Sequence, residues 1–198
     1  MDWSVDFKES ASKDDLKLVR DTLDAKHQSE LGQHVEAARI LWEIAIGARH
    51  RGDKIWECMT LVHMGKVYRI LRWAVAVQLY ELAADLAGSI GFDRARMVAL
   101  NDLGEMRCSW GQLDEAIADF EKCLELIGPD DLQSKRDVTL NLAVAHEGVE
   151  HYQDCRRLLE EVVRLDQQLG HPDLDDDREH LGDITARIKE EPKKGALR

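Results

Sequence analysis

The sequence predicts an all-α protein built from repeated antiparallel pairs of helices. Apolar residues recur at steps of three and four, which is the spacing of one helix face, as in Leu113, Ala116 and Phe120. Two further series of residues recur along the chain at intervals of 39 or 40. The 198 residues include only three prolines, and strand-type alternation is nearly absent. These observations together predict about nine helices and a repeat unit of two helices.

Small residues mark the places where the helices of each pair cross. The first series has a step of 39 and consists of Gly65, Gly104, Ala143 and Gly182. The second series has steps of 39, 40 and 39 and consists of Ala37, Ala76, Ala116 and Cys155. Four residues after each member of the second series stands a large apolar residue: Leu41, Tyr80, Phe120 and Leu159. Two series with one period predict that every pair crosses closely with the same internal register.

The segments follow from this register in chain order. Residues 1–12 are predicted to form an N-terminal arm or a disordered leader, and residues 190–198 a flexible tail. The solenoid between them is predicted over 13–188, with repeats at about 13–51, 53–91, 93–128 and 131–169 and a capping helix at 174–189. The first repeat has Ala25 as its nearest small residue, and the second and fourth repeats lack a turn glycine.

This arrangement resembles the tetratricopeptide repeat, the helix-turn-helix unit of interaction scaffolds. The slots of the repeat are filled in the third pair by Leu100, Leu103, Gly104, Trp110, Gly111, Ala116 and Phe120. Arg107 stands where an aromatic residue is usual, and Cys123 where alanine is usual. The period exceeds the usual 34 residues and is similar to that of long-repeat variants. The resemblance implies a right-handed α-solenoid, a superhelix whose first helices line a concave groove.

The charge of the chain is unevenly distributed. The net charge is −12; residues 1–99 carry 14 basic and 15 acidic groups, whereas residues 100–198 carry 13 basic and 24 acidic groups. An acidic half repels nucleic acid and favours a basic protein or peptide partner there, although the same charge also serves as a solubilising surface. No apolar run approaches the roughly 20 residues of a membrane helix, so membrane insertion is not expected.

The four cysteines predict a reducing location. Cys58, Cys108, Cys123 and Cys155 show neither CxxC spacing nor the pattern of a disulfide framework. Cys123 and Cys155 occupy small-residue core positions, which predicts buried, unreactive thiols. The N-terminus also lacks the basic-then-apolar layout of a secretory signal. We therefore expect a cytoplasmic protein.

No pattern in the sequence indicates catalysis, a cofactor or a metal. His146 and His151 are five residues apart, whereas two zinc ligands on one helix face need a spacing of four. The run Asp173–Asp177 begins like a calcium loop, but Arg178 and Ile184 replace the required glycine and glutamate. Phosphate loops and dinucleotide fingerprints are absent from the sequence. We expect a protein that is not an enzyme.

The residues that packing does not require are the candidates for ligand binding. The repeat phase places ten of them in the concave groove: Lys26, His63, Lys66, Arg69, Asn101, Asp102, Glu105, Asn141, Glu147 and His180. This groove is predicted to be basic near Lys66 and acidic from Asp102 onward, although exposed helix faces are often charged without any ligand. Asparagine is a mediocre helix former, but its amide donates and accepts hydrogen bonds together, which suits a bound peptide backbone.

The function predicted from these features is a non-enzymatic scaffold or adaptor that binds a peptide or protein segment in its groove. Two other classes stay open at this point. One is a peptide-sensing regulatory subunit, and the other is a structural protein that self-associates through its convex or terminal surfaces.

Overall fold

A computed structural model describes residues 13–190, with side chains from residue 17 onward. Over this range the chain forms nine α-helices and no β-strand. The helices are α1 Lys13–Glu30, α2 His34–Arg51, α3 Lys54–Leu71, α4 Trp73–Ile90, α5 Asp93–Ser109, α6 Leu113–Leu126, α7 Leu132–Gly148, α8 Tyr152–Leu169 and α9 Leu174–Glu190. The predicted N-terminal arm and all but the first residue of the predicted tail lie outside the described residues.

The chain divides into two compact units within α5, the first ending at Ala99 and the second beginning at Leu100. In the first unit α1 packs on α2, α2 on α3 and α3 on α4. In the second unit α6 packs on α7, α7 on α8 and α8 on α9. These six pairs are all neighbours in sequence. Together with the nine helices of residues 13–190 they confirm the predicted all-α helical repeat of the solenoid class.

The second small-residue series lies at the helix crossings, as the sequence predicted, whereas Gly182 of the first series is exposed and has no close neighbour. Ala37, Ala76, Ala116 and Cys155 are all fully buried. The large residues that follow each of them by four are also buried, and they include Tyr80 and Phe120. A Cβ atom added to Gly65 would lie 2.5 Å from Cε1 of Tyr80, so only glycine fits beneath that ring. The periodic sequence therefore specifies both the helices and how closely they approach each other.

The turns inside three of the helix pairs share one backbone geometry. In the α1–α2 and α5–α6 turns, Gly32 and Gly111 have φ angles of 77° and 74°. In the α7–α8 turn, Glu150 adopts the same left-handed conformation, with φ of 60°, although it is not glycine. The α3–α4 turn differs, because the single residue Arg72 connects the two helices and donates its N–H to the carbonyl of Tyr68 at 2.7 Å.

Buried ion pairs connect the helices of the second unit. Arg107, at the position where the repeat usually has an aromatic residue, pairs with buried Asp119 of α6. Arg136 of α7 is buried and pairs with Asp166 of α8, 2.8 Å away, and with Asp177 of α9. Three consecutive helices are thus held by one guanidinium. Among residues 13–190, every helix is too short or too polar to cross a membrane.

Candidate ligand-binding faces

The two predicted asparagines lie side by side on α5 and α7. The side-chain amide of Asn141 donates from Nδ2 to Oδ1 of Asn101 at 3.1 Å. Asn101 in turn donates from Nδ2 to Oε1 of Glu105 at 2.9 Å. Three predicted site residues therefore form one hydrogen-bonded chain, a contact between repeats that helical spacing alone did not reveal. Asn141 is partly exposed, and within the described part of the chain its Oδ1 accepts no hydrogen bond.

Glu147 and His180 also meet, at the next position along the same surface. Nε2 of His180 donates to Oε2 of Glu147 at 2.8 Å. Oε1 of Glu147 lies 3.2 Å from Nη1 of Arg187, so both basic partners come from α9. The guanidinium of Arg187 also lies 6.0 Å from the centre of the Tyr152 ring. The carboxylate predicted to meet a basic ligand is therefore already bonded to two side chains of the protein.

One apolar side chain interrupts this polar surface. Val144 lies on α7 between Asn141 and Glu147, and 48% of its surface is exposed. We name the surface formed by Asn101, Asn141, Val144, Glu147 and His180 the asparagine face. It combines amide groups, an exposed aliphatic side chain and a charged cluster, all on α5, α7 and α9 of the second unit. Asp102 and Glu105, also predicted as site residues, are partly exposed on α5.

The basic residues predicted for the groove lie on α1 and α3 of the first unit. Lys26, Lys66 and Arg69 are exposed, and Nζ of Lys26 lies 3.9 Å from Oε1 of Glu30. His63 is largely buried. Burial, followed by the neighbouring positive charges of Lys66 and Lys26, lowers the pKa of His63 to about 4. At neutral pH His63 is therefore uncharged, and it lies beside two lysines that attract an acidic group.

A cavity in the first unit has no counterpart in the site predicted from the sequence. It lies between α1 and α2, has a volume of about 490 Å³ and includes Lys17, Asp21, Arg39 and Glu43 in its lining. None of the ten predicted site residues lines it. Its walls carry both signs of charge within short distances, so no ligand chemistry is favoured there.

Three of the four cysteines are buried, as expected for Cys123 and Cys155. Cys58, Cys123 and Cys155 are inaccessible to solvent, while Cys108 is partly exposed. Burial raises the thiol pKa to about 11 for Cys58 and Cys155 and to about 12 for Cys123. A protonated thiol is a poor nucleophile and a poor metal ligand. These three buried cysteines therefore contribute to the packing of the core.

Two groups of potential metal ligands occur in the described part of the chain, both in the second unit. One consists of His146, His151 and Asp154, and the other of Glu147, Cys155 and His180. In each group the potential ligand atoms lie within 4.8 Å of one another. The spacing argument against His146 and His151 assumed one continuous helix. It does not apply, because α7 ends at Gly148 and the chain turns before His151.

Known proteins resemble this chain in fold. No protein-family model matches the sequence, and no curated protein matches it. BtubC from P. vanneervenii has a TM-score of 0.71 and 15% identity over 82% of this chain and 68% of its own. TPR-like repeats of a candidate kinesin light chain from Podosopora anserina have a TM-score of 0.65 and 18% identity, with 87% and 96% covered.

A third similar structure is the Signal Transduction ATPase with Numerous Domains protein PH0952 from Pyrococcus horikoshii, which carries a tetratricopeptide repeat sensor. Its TM-score is 0.77 at 16% identity, with 88% of this chain and 28% of that chain covered. Identities this low establish the fold and nothing finer. The helical period, the glycine-beneath-ring crossings and these similarities agree, and the chain has a helical repeat fold of the tetratricopeptide type.

Proposed function

We propose that this chain is a non-enzymatic interaction scaffold that binds an extended peptide segment on the asparagine face. The observation that carries the proposal is the pair Asn101–Asn141. These amides are fixed by each other at 3.1 Å, yet Oδ1 of Asn141 is left to accept a hydrogen bond from a ligand N–H. An amide held in place before binding loses little conformational entropy when the ligand arrives.

The residues around the asparagines specify the rest of the ligand. Val144 offers aliphatic surface for one apolar side chain of the peptide. The second unit carries a large excess of acidic groups, which favours a ligand with basic residues and raises its association rate through electrostatic attraction. In the first unit, Lys26 and Lys66 suit an acidic residue. These features support a peptide of mixed charge as the ligand. That one groove runs along both halves of the chain remains a prediction from the sequence.

A peptide-display selection on the full chain, followed by calorimetric titration of the selected peptides, tests the proposal. Val144→Glu places a carboxylate where an apolar side chain of the peptide should pack, without breaking any hydrogen bond. It should weaken binding at least about tenfold, as expected for a desolvation cost near 1.4 kcal/mol. Gln168→Glu adds a carboxylate at an exposed position of α8, outside the asparagine face, and is the matched control.

The same titrations separate this function from its alternatives. If Val144→Glu binds the selected peptides as tightly as the unchanged chain, the asparagine face is not the binding site. If light scattering shows instead that the unchanged chain self-associates and that Val144→Glu abolishes this association, the face is a self-assembly surface.

A further inference from the structure

The α7–α8 turn brings together His146 and His151, whose spacing of five residues would place them on different faces of a continuous helix. The rings of His146 and His151 have their centres 5.7 Å apart and are tilted by 36°. His146 lies in the last turn of α7, and His151 immediately precedes α8. The carboxylate of Asp154, in the first turn of α8, completes a cluster whose ligand atoms lie within 4.8 Å of one another.

The backbone explains why residues five apart meet. The N–H of His151 donates to the carbonyl of His146 at 2.9 Å, which is the long-range hydrogen bond of a helix-ending turn with a left-handed residue. The α1–α2 and α5–α6 turns contain the same bond, from Gln33 to Gln28 at 2.8 Å and from Gln112 to Arg107 at 2.9 Å.

The repeat thus provides a matched comparison within one chain. The turn geometry is common to the three pairs, but histidine occupies both ends of this backbone bond only in the α7–α8 turn. The acidic residue three positions further on is common as well, as Glu36, Glu115 and Asp154, which fits a helix N-terminus. The paired histidines, rather than the carboxylate, are therefore the feature that the turn does not require.

The environment of His146 leaves a nitrogen atom without a partner. Nδ1 of His146 is buried and makes no hydrogen bond within the described residues. A buried polar atom of this kind is unusual in a folded protein and calls for a partner such as an ion or a water.

We propose that His146, His151 and Asp154 form a binding site for a divalent transition-metal ion of the zinc class. Two imidazoles and one carboxylate suit Zn²⁺, whereas Mg²⁺ and Ca²⁺ prefer oxygen ligands alone. Ligand atoms around a tetrahedral Zn²⁺ are about 3.4 Å apart, so the cluster must contract. We expect rotation of the exposed His151 and Asp154 side chains to provide this contraction.

The surroundings fit an open metal site. Oδ1 of Asp154 lies 3.2 Å from Nη2 of Arg157, which orients the carboxylate. A cavity of about 280 Å³ lies against Glu150, His151 and Asp154. Three protein ligands leave a fourth position that faces this cavity, where a water or a side chain of a partner protein completes the coordination.

The second group of potential ligands is the rival site. Its members are already engaged, because Glu147 is bonded to His180 and Arg187 and because Cys155 is fully buried. We therefore expect His180→Gln to leave zinc binding unchanged. This variant distinguishes the two clusters, because His180 of α9 belongs only to the second one.

Calorimetric titration of the untagged full chain with ZnCl₂ tests the proposal. The expected result is one ion per chain, with affinity reduced at least about tenfold in His151→Gln and in Asp154→Asn. His151 and Asp154 are chosen because His151 is exposed and half of the Asp154 side chain is accessible, so both variants should fold. Controls are His50→Gln, an exposed histidine on α2, and Cys108→Ser, which removes the accessible thiol; both should bind like the unchanged chain.

The following results would contradict the proposed zinc site. Zinc binding that survives in His151→Gln, or that disappears in His180→Gln or Cys108→Ser, would overturn it. So would equal binding of Mg²⁺ or Ca²⁺ with the same dependence on Asp154, because that would indicate an acidic cluster without histidine ligands. A zinc-dependent rise in the unfolding temperature of the unchanged chain that is lost in His151→Gln provides an independent readout, since an ion that binds only the folded state stabilises it.

Discussion

Gly104 lies directly beneath the ring of Phe120. A Cβ atom added to Gly104 would lie 2.6 Å from Cε1 of that ring, closer than real side chains approach. Phe120 is almost completely buried, so the ring has little room to move away. The contact joins α5 to α6 within the second unit.

Substitution of Gly104 should therefore destabilise the fold. Gly104→Ala should lower the free energy of unfolding by about 1–3 kcal/mol, the usual cost of overpacking, and Gly104→Leu by more. Gly182, one repeat period further in the capping helix, meets no atom within 4 Å of an added Cβ. Gly182→Ala should instead stabilise the chain by about 0.5–1 kcal/mol through helix propensity. Urea unfolding of both variants is the measurement, and equal effects would contradict the crossing.

Removal of Arg136 should lower the free energy of unfolding, because two buried carboxylates lose their cationic partner. Without its guanidinium, Asp166 and Asp177 lose the buried arginine that they share, and Arg136→Met should cost about 3–5 kcal/mol of unfolding free energy at pH 7. Arg178→Met is the control, because its pair with Asp175 is exposed and such pairs contribute at most about 1 kcal/mol. Similar losses in the two variants would mean that the buried network adds nothing.

The same network should depend on pH in a defined direction. Burial, followed by the neighbouring Asp166, raises the pKa of Asp177 above its ordinary value. The folded chain then holds this proton more readily than the unfolded chain, so the contribution of Asp177 to stability is greatest below the unfolded pKa and is lost as the pH rises through the folded pKa. The destabilisation by Arg136→Met should accordingly shrink on acidification towards pH 4. A loss that grows in acid would contradict this assignment.

His63 should titrate far below an ordinary histidine. Its pKa is lowered to about 4, mainly by burial, whereas the unfolded chain takes up the proton near pH 6.5. The folded state therefore loses stability as the pH falls through this interval, and it gains nothing from His63 above it. Proton NMR titration of the imidazole is the measurement. An acidic peptide bound beside Lys26 and Lys66 should raise the midpoint, and Lys66→Glu should raise it without any peptide.

The thiols should label in an order set by burial. Cys108 is partly exposed and should react first with a thiol reagent, while Cys58, Cys123 and Cys155 should react only on unfolding. Their raised pKa values add to this protection, because the thiolate is the reactive form. Mass spectrometry of peptides after brief native labelling gives the order. Early labelling of Cys155 would place that face of α8 outward and contradict the register.

The sequence by itself determined the helices and the faces that they bury. Residues three and four apart lie on one side of a helix whatever surrounds it, so the period of Gly65 and Gly104, with Tyr80 and Phe120 opposite, was sufficient to predict the crossings. The same reasoning placed Asn101, Asn141 and Glu147 on the first helices. It could not predict that Asn141 bonds to Asn101, or Glu147 to His180, because those contacts depend on how far one helix is displaced along the next.

Only the tertiary structure decided the local partners and the turns. Arg107 replaces an aromatic residue without harm because Asp119 of the adjacent helix neutralises it, and a sequence pattern does not contain that distance. His146 and His151 were separated by the helical spacing rule, which holds only while the helix continues. Glu150 takes the left-handed conformation that Gly32 and Gly111 take elsewhere, so the chain reverses direction, and side chains five residues apart meet on one surface.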